Sequence, residues 1–178
     1  MSPRLNHGSS PPVWAVPMQI VQDQSTGDLY ALDLAVEPND GSSTREYYLW
    51  KSVDGGQNWT QASPNPVWSF DQTPVGYGAF NPRFDISPDG STFIFAYAQC
   101  LETTVGSGSA NWIDEAHEIT YMTSNDKGQN WSSFQNIWPA GDLTLSGPFA
   151  DAFKMGTELD VILDKNNNPH FLIIGSSD

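Results

Sequence analysis

The chain has 178 residues, enough for one domain with a packed core and too few to argue for two. Its 7 Lys and Arg stand against 21 Asp and Glu, and the formal net charge of −14 excludes a nucleic-acid partner and an anionic membrane surface, both of which demand cations. With 15 Gly, 13 Pro and 7 Trp the composition points to short strands joined by tight turns, and its acidity suits extracellular or cell-surface surroundings.

A single cysteine, Cys100, rules out an intrachain disulfide and a cysteine zinc site. It ends an apolar run and reads as a small buried hydrophobe. No metal and no cofactor is implied. No apolar run approaches the length of a membrane span, so membrane insertion is not expected. The opening "MSPRLNHGSSPP" has no signal-peptide core, so export would rely on a targeting segment outside this chain.

In chain order, residues 1–16 form an N-terminal extension, and three related units follow over 17–178. The first unit, 17–64, opens with "MQIVQDQSTGDLYALDLAV" (18–36), an apolar strand, a polar turn and a second apolar strand. "REYYLWK" (45–51) then predicts a third strand, and "SVDGGQNWT" (52–60) turns it into a fourth. The second unit, 81–138, repeats this order with "RFDISPDGSTFIFAYAQ" (83–99), "HEITYMT" (117–123) and "SNDKGQNWS" (124–132). The third unit, 157–178, is half complete, its hairpin being "ELDVILDKNNNPHFLIIG" (158–175). Only "DAFKM" (151–155) suggests a turn of helix.

Four strands per unit, recurring, is how stacked antiparallel sheets look in sequence. "TFIFAYA" and "HFLIIG" are apolar on both faces, so neighbours should cover both sides of their sheets. The expected fold is all-β: a propeller-type arrangement of four-stranded antiparallel blades, two complete and one partial. A closed ring needs at least four blades, so further blades of the same protein or self-association are expected to cover the end faces.

Ser52, Asp54, Gly56 and Trp59, and again Ser124, Asp126, Gly128 and Trp131, match the pattern S-x-D-x-G-x-x-W. The repeat resembles the Asp-box, or bacterial neuraminidase repeat, of the sialidase-like β-propellers. The resemblance implies an outer-rim position away from any substrate, and the residues themselves suffice for architecture. The aspartate accepts N–H groups of its own turn, the glycine supplies positive φ, the serine ties the incoming strand and the tryptophan seals the blade edge. The sequons "NWT" and "NWS" are by-products of the pattern, so glycosylation there is not expected. The acidic turns "DQSTGD", "SPDGS" and "DKNNNP" lack the ligand spacing of a calcium loop and read as hairpin turns.

Ligands of propellers usually meet the face built here from 37–44, 63–82, 100–116 and 139–157. Trp112, Trp68 and Tyr77 in these segments are candidates for stacking on sugar rings, the alternative being that they plug gaps between blades, which is favoured for Trp68 and Tyr77. Asp114, Glu115 and Glu158 are candidate polar contacts, with solvated loop charge as the commoner role, and His117 opens a strand where a ligand role is not expected. Sialidases share three arginines that grip the substrate carboxylate, the first in an R-I-P motif. Arg83 opens an inner strand, but Phe84 and Asp85 stand where Ile and Pro belong. The other arginines are Arg4 in the extension and Arg45 at an outer strand, so the catalytic residues remain unassigned. The expected function is binding of a glycan or a protein partner by a secreted or surface-exposed module that is not catalytic by itself. The alternatives are a part of a glycoside hydrolase and a structural assembly module.

Overall fold

The computed structural model describes residues 14–36, 43–63, 65–69, 79–100, 117–138 and 153–177, and among these no helix occurs. The first sheet contains β1 (Trp14–Gln22), β2 (Leu29–Val36), β3 (Ser43–Ser52), β4 (Thr60–Gln61) and β5 (Trp68–Ser69). β4 and β5 both pair with β3, so they form one interrupted outer strand beside the order β1-β2-β3. The second sheet is β6 (Ala79–Ile86), β7 (Phe93–Cys100), β8 (His117–Ser124) and β9 (Gln135–Trp138), in that order. The third pairs β10 (Phe153–Leu163) with β11 (Pro169–Ser177). Every pairing is antiparallel. These are propeller-type blades, two four-stranded sheets and a hairpin of a third.

One expectation fails here. Phe153–Met155, from the stretch that suggested a helical turn, is extended and pairs with Gly175–Ser177. A short amphipathic stretch carries too little helix signal to compete with a partner strand.

The sheets stack in a repeating way that the register makes visible. The β1–β2, β6–β7 and β10–β11 turns close through equivalent hydrogen bonds, from the N–H of Asp23 to Asp28, of Ser87 to Thr92 and of Asp164 to Asn168. Counting back, Ile20, Phe84 and Val161 are equivalent, and they pair with the equivalent Ala31, Phe95 and Phe171. Phe84 and Phe95 point back to the first sheet and Val161 points back to the second, all fully buried. Side chains one position along point forward, since a strand alternates. So Tyr30 and Leu32 join Phe84 and Phe93 in one core cluster, while Ile94 and Ala96 join Val161 and Leu163 in the next. This alternation is why the second strands are apolar on both faces. Tyr30 meets Phe93 edge-on at 4.8 Å, and Phe84 meets Phe93 at 5.6 Å in the same manner.

Backbone groups add directional ties. Gln19 Oε1 accepts the Phe84 N–H at 2.9 Å, from the first sheet to the second. Asp85 Oδ2 accepts the Leu163 N–H at 2.7 Å, from the second to the third. At the turn end, Lys127 Nζ lies 3.2 Å from Asp23 Oδ2, joining second sheet to first.

Candidate functional site

The two Ser-x-Asp turns, at the end of the sheets where β3 meets β4 and β8 meets β9, have nearly superposable hydrogen bonding. Ser52 Oγ donates to Asp54 Oδ1 at 2.8 Å and accepts the Gly56 N–H at 2.9 Å. Ser124 does the same toward Asp126 and Gly128, at 2.8 and 2.9 Å. Asp54 Oδ1 accepts the N–H groups of Gln57 and Asn58, and Asp126 Oδ1 accepts that of Asn130. The four-residue bend needs consecutive positive φ values: Gly55 at 72° with Gly56 at 90°, and Lys127 at 60° with Gly128 at 83°.

Asn58 and Asn130 are part of both turns, although the sequence pattern as read left them as variable positions. Their Nδ2 atoms each donate to the second carboxylate oxygen, at 2.7 Å. The signal was present, because asparagine precedes tryptophan in both copies. The same bonds occupy the amides that a sequon would offer. Donors around the Asp54 carboxylate, the Asn58 N–H first, lower its pKa to about 2, and the pKa of Asp126 is also lowered, chiefly by the Asn130 amide. Trp59 Nε1 donates to the Gly56 carbonyl at 3.0 Å, and both Trp59 and Trp131 are half-buried, resting on neighbouring apolar clusters. The serine and aspartate side chains and the asparagine amides are spent on the turn itself, whereas the buried Trp131 Nε1 has no partner among the described residues.

The arrangement with most chemical character lies on the inner strands at the second junction. Arg83 and Asp85 alternate onto the forward face of β6, and Asp160, the equivalent of Arg83 in β10, lies opposite. Arg83 Nε is 3.8 Å from Asp160 Oδ1, and its Nη1 donates to the Pro82 carbonyl at 3.1 Å. Burial raises the pKa of Asp85, with the Asp160 charge acting in the same direction and the Leu163 N–H opposing both. A guanidinium that already faces a carboxylate, with about a third of its side-chain surface exposed, is a weak isolated grip for an anion. It retains N–H donors suited to neutral hydroxyl or carbonyl oxygens.

Of the residues singled out in the sequence whose side chains are described, Arg83 lies in this site. Glu158 lies in β10, two positions before Asp160, its side chain outside the described residues. Tyr77, Trp112, Asp114 and Glu115 lie outside the described residues, as do the side chains of Cys100 and His117. Trp68 is 1 % exposed, between Tyr47 at 5.8 Å and Tyr97 at 5.7 Å, so it presents no open face for stacking on a ligand. It fills the gap between the first two sheets because β5 resumes the outer strand there, which the proline-rich "SPNPVW" did not suggest. Asp160 was missed, and Asp85 had been read only as a departure from a motif. Alternation two residues from Arg83 could have flagged Asp85, whereas only the stacking of sheets brings Asp160 to the pair.

No known family's sequence pattern matches the chain, and no curated protein matches it. Among solved structures it is similar to the Hadza microbial sialidase Hz136, with 21% identity and a TM-score of 0.51, over 89% of this chain and 34% of that one. It also aligns with two structures of the Trypanosoma rangeli sialidase. One, in complex with sialic acid, gives 12% identity, a TM-score of 0.47 and coverage of 100% of this chain and 33% of that one. The other, a mutant displaying trans-sialidase activity, gives 14% identity, a TM-score of 0.44 and coverage of 90% and 26%. The likeness to Hz136 is one of fold: the described strands form part of a sialidase-like β-propeller, and the chain spans about a third of that protein's length.

Proposed function

We propose that this chain is a glycan- or protein-binding module of a secreted or surface-exposed sialidase-like propeller, with Asp-box turns as its architecture and without catalysis by these residues alone. The observation that carries this reading is the state of Arg83. It is the one arginine whose side chain is described, and it faces Asp160 instead of joining other cations. The chain's remaining arginines are Arg4 and Arg45, and neither is expected from the strand order to share the inner column with Arg83. Among the described residues Arg83 meets no second arginine, which supports a binding role over a carboxylate clamp. The ligand surface in this reading is the loop face, with Trp112 stacking on a sugar ring and Asp114 and Glu115 offering acceptors.

The test pairs a glycan array with a fluorogenic sialoside. The reading expects glycan binding that Trp112→Ala weakens at least tenfold, with no turnover of the sialoside above buffer. Turnover would replace it with the second reading, that of a part of a glycoside hydrolase, which the fold likeness to a sialidase favours. Binding that is unaffected by Trp112→Ala would remove the stacking assignment.

A further inference from the structure

We draw no further inference here: the strongest candidate, the groove of about 230 Å³ that Asp160, Ile162, His170 and Leu172 line on the forward face of the third sheet, is an exposed sheet face, and nothing in the structure shows what covers it.

Discussion

Replacing Gly128 by alanine separates the packing of the repeated turn from its backbone geometry, because Gly56 is an internal control. Both glycines have positive φ, so an alanine at either site carries a left-handed penalty of about 1–2 kcal/mol. Their surroundings differ. A Cβ on Gly56 would meet Leu29 and Trp59 at 3.6 Å, which is ordinary contact. A Cβ on Gly128 would come within 2.6 Å of Leu49 Cδ2, a side chain of the preceding sheet that is itself buried. Leu49 must shift inside a filled cluster, and overpacking of that kind costs about 1–3 kcal/mol. The expected totals are about 1–2 kcal/mol for Gly56→Ala and about 2–5 kcal/mol for Gly128→Ala. Urea unfolding followed by tryptophan fluorescence measures both. Equal losses would show that the second turn is not wedged between sheets, and the account of the first junction would fall with it.

Four other outcomes are expected. Trp59→Ala lowers the melting temperature without changing ligand binding, and its half-buried setting puts the loss below the roughly 3–5 kcal/mol of a fully buried tryptophan; unchanged stability with lost binding would move the turn into the site. Asp126→Ala likewise destabilises by leaving the Asn130 N–H and amide without their acceptor, read by the same melts and reversed in part by Asp126→Asn. Lys127→Ala removes the cation facing buried Asp23 and should cost about 1–3 kcal/mol, whereas Lys127→Arg should retain most of it in the same unfolding assay. Asp54 and Asp164 have folded pKa values of about 2, below the ordinary 3.8, so their contribution is present above pH 4 and is lost as pH falls toward 2; melting temperatures from pH 5 to 2 should fall less steeply for Asp54→Asn than for the wild type.

What the sequence determined by itself is local: strand, turn, strand, and the repeated Ser-x-Asp-x-Gly bend whose letters interact within seven residues of one another. Such features are legible because donors and acceptors only a few positions apart meet whatever the rest of the chain does. Both-face apolarity in "TFIFAYA" likewise told that two neighbours exist, since burial of each face needs a cover. Which surfaces those neighbours present was decided only by the tertiary structure. Trp68 looked like a loop residue until β5 was seen to resume pairing with β3 and to carry it between Tyr47 and Tyr97. Arg83 is a ligand-contact candidate in the sequence, already off the arginine motif at Phe84 and Asp85, and only the stacking of β10 sets Asp160 against it, 77 positions away in the chain. A period of two says that a side chain points off a sheet and on which side. The partner it meets is set by the order and stagger of whole sheets, an energetic choice spread over every contact in the two clusters and written in no single stretch of residues.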